Sequence, residues 1–267
     1  MASAKVIMHK KSILKTSTAL ADIHIEQTDQ ELHLKFDDDN EAIQSAILLA
    51  HPHQLVMQNL QYLMGVLLFI PEPAKILMLG VGGGSLIHYI QHYLPRSEIT
   101  AVENNAELLD ICFAHFQLPR GGDQLTYVID DARGFMQRDS QHYDLIVVDI
   151  FEGDVTPAWV LQEPFIQQLK NRLTVQGAVS CNLLTRNENT FRNFYRILRG
   201  VFKQQCLCLE GEDYENLLVY ALNFRSASKS MSQLLELGWQ YSERYELPFN
   251  EILSVIYNIN PTDSGII

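Results

Sequence analysis

The sequence predicts an α/β protein: a mostly parallel, doubly wound sheet preceded by a small N-terminal β domain. Three observations carry that expectation. From residue 75 onward, short apolar runs alternate with stretches of helical periodicity, the pattern of strands joined by crossover helices. The first apolar run, Ile76 to Leu79, stops on a glycine-rich turn, Gly80-Val81-Gly82-Gly83-Gly84-Ser85. Ahead of it, residues 5–36 alternate apolar and polar side chains with period two, as antiparallel strands do.

Size and charge bound the function. The chain has 267 residues, 47% of them hydrophobic, enough for one large α/β domain plus an appendage. A division into residues 1–50 and 51–267 is expected. Asp and Glu outnumber Lys and Arg by 32 to 20, a net charge of −12. Such a balance disfavours nucleic acid as a partner; it favours a cationic substrate electrostatically, although net charge alone is better read as an acidic surface that keeps the protein soluble. No apolar run reaches the ~20 residues that span a bilayer; the longest lies around Leu63 to Ile70. With no secretory-type opening, a soluble cytoplasmic protein with no membrane partner is expected. Cys112, Cys181, Cys206 and Cys208 form no Cys-x-x-Cys pair or metal-ligand spacing, so reduced thiols and no metal are expected.

The elements follow in order. Ile23 and Ile25, then Leu32, Leu34 and Phe36, flank Thr28-Asp29-Gln30 as a hairpin does. Asp37 to Glu41 reads as a charged loop, and Gln54 to Phe69 as an amphipathic helix leading to Pro71 and Pro73. After the glycine turn, Leu86, Ile87, Ile90 and Leu94 recur at helical spacing until Pro95. Ile99 to Val102 is a strand ending on Glu103, and Asn105 to Phe116 a helix. Gln124 to Ile129 is a strand ending on Asp130-Asp131-Ala132, and Tyr143 to Val148 another ending on Asp149. Beyond lie a helix over Leu161 to Leu173, a strand over Gly177 to Leu184 and a helix over Thr190 to Gly200. Two closing strands, Cys206 to Leu209 and Leu217 to Leu222, surround an acidic turn, and a mostly helical tail follows.

The glycine turn and the strand-end acids are the candidate site. Glycines allow positive φ and let backbone N–H groups approach a ligand. The spacing is Gly-x-Gly-x-Gly across Gly80, Gly82 and Gly84, with Ser85 where a dinucleotide fold usually carries its third glycine. That form is usual in sites for S-adenosylmethionine, so a Rossmann-like methyltransferase fold is expected. Ligands in such sheets sit outside the carboxyl ends of the strands. Glu103 is placed to hold ribose hydroxyls, and Asp131 and the Ala132 N–H to read adenine; Asp131 is equally suited to cap the following helix. Asp149 is placed to face the reacting centre.

The ordered block Ile-Leu-Met-Leu-Gly-Val-Gly-Gly-Gly-Ser, Val-Glu-Asn, Asp-Asp-Ala-Arg and Tyr-Asp-Leu-Ile-Val-Val-Asp-Ile-Phe-Glu-Gly resembles the spermidine synthase (polyamine aminopropyltransferase) family. It is most similar to a branch carrying Gly-Gly-Gly-Ser, and the resemblance runs from about Gln44 to Leu184. The resemblance implies a small N-terminal β domain, a methyltransferase-like Rossmann domain and usually a homodimer. It also implies decarboxylated S-adenosylmethionine as aminopropyl donor and a polyamine such as putrescine as acceptor. By position, Asp149 matches the catalytic aspartate and Glu152 a second acid that grips the amine. Glu103 matches the ribose acid, Asp131 with Ala132 the adenine site, Gln44 a glutamine near the donor, and Gly80, Gly82, Gly83, Gly84 and Ser85 the donor turn.

Three departures keep alternatives open, one being that the family's Tyr-Gln pair before the helix is not recognisable near His51, His53, Gln54, Gln58 and Asn59. Ser85 stands where the family has aspartate after three glycines, an acid that holds the amine end of the aminopropyl group. Intact S-adenosylmethionine therefore stays open as co-substrate, with methyl transfer as the reaction, as does a non-catalytic nucleoside- or polyamine-binding role. The family's Asp-x-x-Asp-Pro is here Asp149-Ile150-Phe151-Glu152-Gly153. His51-Pro52-His53 lacks a third ligand for a metal, and Trp159 is a candidate for a gate or for the core.

Overall fold

A computed structural model describes residues 10–36, 42–185, 187–210, 216–226, 230–260 and 266. The charged run Asp37 to Glu41, the stretch Lys5 to Met8 and Glu215 lie outside the described residues. Four strands build an antiparallel N-terminal sheet in sequence order: β1 (Lys11–Ser17), β2 (Asp22–Gln27), β3 (Glu31–Phe36) and β4 (Ser45–Leu48). The expected hairpin is its centre, with Ile23 opposite Phe36 and Ile25 opposite Leu34. Thr28 shapes the turn, its hydroxyl accepting from the Glu31 N–H at 2.9 Å.

The main sheet begins at β5 (Lys75–Leu79), followed by α2 (Ser85–Tyr93), β6 (Glu98–Glu103), α3 (Ala106–His115) and β7 (Leu125–Ile129). Next come α4 (Ala132–Arg138), β8 (Tyr143–Val148), α5 (Glu163–Asn171), β9 (Leu173–Leu184) and α6 (Glu188–Val201). Strands β10 (Cys206–Glu210) and β11 (Asn216–Leu222) close it, and α7 (Met231–Tyr245) and α8 (Phe249–Ile259) form the tail. The spatial order is β10-β11-β9-β8-β5-β6-β7. Strands β9, β8, β5, β6 and β7 run parallel, while β11 and β10 pair antiparallel at one edge.

Burial on both faces explains the apolar strand runs. Ile76, Leu77, Met78 and Leu79 are all fully buried. Ile76 and Met78 join one core with Ile87 and Ile90 of α2, and the same core continues into the N-terminal sheet through Ile25 and Leu34. Leu77 and Leu79 join a second core with Phe165 and Ile166 of α5. Alternate residues thus serve opposite layers. All four cysteines are buried and unbridged, Cys206 and Cys208 in the same core.

The helix expected over Gln54 to Phe69 is shorter. Helix α1 spans Gln58–Met64, and the chain then tightens into a 3-10 turn over Gly65–Leu68. Gly65 sits against the Tyr220 hydroxyl and Ile252, where a Cβ has no room. The helix expected over Leu161 to Leu173 is likewise confined to α5, because β9 takes over at Leu173, opposite Tyr143 of β8.

Candidate active site

Strand order reverses between β5 and β8, so the turns that follow them diverge and leave a crevice. The crevice opens into a cleft of about 1040 Å³. Its floor is set by a close approach. Gly80 (φ +94°) lies where any Cβ would overlap the Asp149 carbonyl oxygen, so only glycine lets the ends of β5 and β8 stand this near. Gly82 (φ +54°) also lines the cleft, with no atom within 4 Å of where its Cβ would be.

Glu103 is buried at the end of β6 and divides its carboxylate between two backbone donors. Oε2 accepts from the Val81 N–H at 3.0 Å and Oε1 from the Asn105 N–H at 3.0 Å. The acid therefore fixes the glycine turn while lining the cleft. Asp131 is the N-cap of α4, Oδ1 accepting from the Gly134 N–H at 2.9 Å, and both Asp131 and Ala132 line the cleft. The helix-capping reading is thus realised at a position that also faces the cleft. Asp130 beside it is paired with Arg138.

Asp149 is half-buried and held by Asn182, whose Nδ2 donates to Oδ1 at 2.9 Å. Burial pushes its carboxyl up to about 6; the Asn182 hydrogen bond opposes that rise and the negative Glu103 adds to it. Glu152 lines the cleft from a short loop closed by its own N–H donating to the Val155 carbonyl at 2.9 Å. Trp159 lines the same side and packs edge-on against Phe165, their ring centroids 4.8 Å apart. Gln44 enters from the N-terminal side, with its N–H donating to the Leu34 carbonyl at 2.8 Å.

Three of the expected residues stand elsewhere. Ser85 is buried and its hydroxyl bonds the Ser45 hydroxyl at 2.9 Å and the Ala46 carbonyl at 3.0 Å. It ties α2 to β4 and does not line the cleft. Gly83 and Gly84 are also turned from the cleft, Gly83 against Ser45 and Gly84 against Leu118. The reason is geometric: α2 starts at Ser85, so the last residues of the turn already follow the helix toward the core. His53 stacks on His92 with ring centroids 3.9 Å apart.

Asn59, Asn182 and Asn216 also line the cleft, and none of them was singled out from the sequence as a site residue. The available signal was polarity out of place: Asn182, like Ser180, interrupts the otherwise apolar run Ala178 to Leu184. Leu20 and Ala21, at the β1–β2 turn, reach the cleft near Asn105, which donates from Nδ2 to the Thr18 hydroxyl at 3.0 Å.

A sheet of this order, with a glycine turn and acids at its switch point, defines a protein of the S-adenosylmethionine-methyltransferase fold. Comparison with known proteins narrows the class. The spermine/spermidine synthase domain matches residues 61–209, more than half of the chain, and the protein belongs to that family. A polyamine aminopropyltransferase of Neisseria meningitidis is 29% identical over 235 residues, 88% of each chain. Among solved structures, a probable spermidine synthase from Corynebacterium glutamicum superposes with a TM-score of 0.74 at 19% identity, covering 87% of this chain and 86% of its own. Human methyltransferase-like protein 13, in complex with SAH, superposes with a TM-score of 0.61 at 22% identity, covering 74% of this chain and 93% of its own. The structural likenesses concern the fold, while the family and its relatives support transferase chemistry of the aminopropyl type in general.

Proposed function

We propose that this protein transfers the aminopropyl group of decarboxylated S-adenosylmethionine to a small polyamine such as putrescine, releasing methylthioadenosine. The observation that carries the reading is the charge of the cleft. Glu31, Glu103, Asp131, Asp149, Glu152 and Asp154 line it, and among the described residues no Lys, Arg or His does. A donor with a sulfonium and an ammonium but no carboxylate suits such a lining, as does a cationic acceptor. Intact S-adenosylmethionine would bring its carboxylate into the same acidic field.

The residues divide the work by position. Glu103 accepts from the ribose hydroxyls with the lone pairs its two backbone partners leave. Asp131 accepts from the exocyclic amine of adenine through Oδ2, and the Ala132 N–H donates to the ring. Glu152 holds the acceptor cation and Asp149 acts at the reacting amine. A primary ammonium has a reference pKa near ~10 and no lone pair to attack with. Asp149, raised to about 6, is a stronger base than an ordinary carboxylate and is still mostly ionised at neutral pH. It takes the ammonium proton as nitrogen bonds to the carbon beside the sulfonium. The carbon–sulfur bond breaks with its electron pair going to sulfur, which leaves as a neutral thioether. Two cations become one cationic product and one neutral one, and holding them in line supplies much of the rate.

The likeness in fold to a methyltransferase-like protein in complex with SAH favours a second reading, methyl transfer from intact S-adenosylmethionine. Incubation with each donor and putrescine separates the two. Methylthioadenosine formed from the decarboxylated donor supports the proposal. S-adenosylhomocysteine formed from the intact donor, with no methylthioadenosine from the other, overturns it.

A further inference from the structure

At the carboxyl end of the sheet, three adjacent strands place polar side chains in a row. Asp149 follows β8, Asn182 lies in β9 one residue beyond the Val148–Cys181 pair, and Asn216 opens β11. Asn216 Nδ2 donates to Asn182 Oδ1 at 2.9 Å, and Asn182 Nδ2 donates to Asp149 Oδ1 at 2.9 Å. Asn182 is 1% exposed, between the buried side chains of Cys181 and Leu183. Burying a carboxamide costs free energy unless its groups are bonded, and here both ends are.

The direction of this chain is chemically determined. A carboxamide has a donor end and an acceptor end, and an ionised Asp149 offers only acceptors. The Asn182 amide must therefore turn its NH₂ to Asp149, which leaves its oxygen facing Asn216. Asn216 rewards that orientation because it presents an NH₂ there. Turned the other way, the Asn182 oxygen would face the Asp149 carboxylate and its NH₂ would face another NH₂.

We propose that Asn182 and Asn216 form a directional amide relay that positions Asp149 as the ionised base, occupying Oδ1 so that Oδ2 is presented to the acceptor amine. Neither asparagine exchanges a proton; both are positioning residues, Asn216 acting through Asn182. The inference rests on the reading of Asp149 as the base. Glu103 at the end of β6 works against the relay, since its negative charge disfavours the ionised Asp149, and Glu152 and Asp154 share the cleft.

The test is the pH profile of kcat/KM for the acceptor in four variants: Asn182→Ala, Asn216→Leu, Asn216→Asp and the double Asn182→Ala/Asn216→Asp. Loss of the amide in Asn182→Ala should move the acid limb up by about one pH unit, the size of a charge-assisted hydrogen bond. Asn216→Leu should shift it less, because the amide stays but loses its orientation. Asn216→Asp should shift it more than Asn216→Leu, since a carboxylate there accepts from Asn182 and turns the amide oxygen onto Asp149. A direct charge effect between these partly buried groups is little screened by salt, so the double variant is what separates the two. The excess should collapse there, where no amide is left to turn.

Acid limbs unmoved in all four variants, or effects of positions 182 and 216 that simply add, overturn the relay. Should Asn182→Ala fold poorly, Asn182→Leu, which fills the site without an amide, takes its place in the single and the double variant. Asp149→Asn assayed alongside keeps two failures apart. Parent-like turnover there removes Asp149 as base, whereas lost turnover there with unmoved limbs elsewhere removes only the relay. Should the parent turn over neither donor, the pH dependence of putrescine binding to the methylthioadenosine complex gives the same comparison.

Discussion

The Glu103 carboxylate bridges two strand ends, taking the Val81 N–H on one oxygen and the Asn105 N–H on the other, each at 3.0 Å. One buried acid therefore shapes the glycine turn of β5 and the entry to α3 while facing the cleft. Glu103→Gln replaces one acceptor oxygen with a donor that meets a backbone N–H. We expect a loss of about 1–3 kcal/mol in stability and a roughly 10–100-fold weaker Kd for methylthioadenosine, read by thermal melting and calorimetry. Removing this charge also lowers the Asp149 carboxyl, so the acid limb of the activity profile should move to lower pH. Unchanged nucleoside affinity would contradict the ribose assignment.

Asp149 trades stability for basicity. Its folded carboxyl, at about 6, lies above the ordinary aspartate value of 3.8. The fold therefore favours the protonated form, and the stability that form brings is present below pH ~4 and lost as pH rises through about 6. Asp149→Asn keeps a neutral group throughout. Relative to the parent, the variant should gain stability across that window, about 3 kcal/mol at most by pH 8 and less for the part of the group that water screens. Its kcat should fall by roughly 10²–10⁴. Melting curves at pH 4 and pH 8, read with the rate, check both; a parent as stable as the variant at pH 8 contradicts the shifted carboxyl.

Gly80 and Gly82 predict different failures. Gly80→Ala meets the Asp149 carbonyl and an unfavourable φ together, so it should unfold the protein or lower its stability by more than about 3 kcal/mol. Gly82→Ala meets open space and should cost only about 1–2 kcal/mol of left-handed strain. Because Gly82 lines the cleft, its added methyl should weaken methylthioadenosine binding in a protein that still folds. Equal melting temperatures for the two variants would contradict the close approach of β5 and β8.

Ser85→Asp tests where the glycine turn faces. From position 85 a carboxylate reaches Ser45 and the Ala46 carbonyl, not the cleft. Burying it there should cost about 2–5 kcal/mol and leave the preference between intact and decarboxylated donor unchanged. Ser85→Ala should cost only about 1 kcal/mol. A restored or sharpened preference for the decarboxylated donor in Ser85→Asp would show that this side chain reaches the ligand after all.

Strand and helix periodicity made most of the fold legible, because residues such as Ile76 to Leu79 must be apolar on both faces to lie inside a parallel sheet. The strand-end acids Glu103, Asp131 and Asp149 were legible for a related reason: a charge that stops an apolar strand marks the sheet edge where ligands collect. Ser85 misled, because the sequence shows that it follows the glycines but not that the helix has already begun there. Asn216 was silent and Asn182 showed only as a polar side chain in an apolar run, since their partners lie 33 and 34 residues away in sequence.

By itself the sequence determined an acidic α/β chain with a glycine turn and a series of acids at successive strand ends, because local periodicity and residue chemistry need no partner to be read. Only the tertiary structure decided which of those groups share a cleft. Strand order brings β8 beside β5 and β11 beside β9, which sets Asp149 at the cleft, while the start of α2 at Ser85 carries that side chain onto Ser45 in the core.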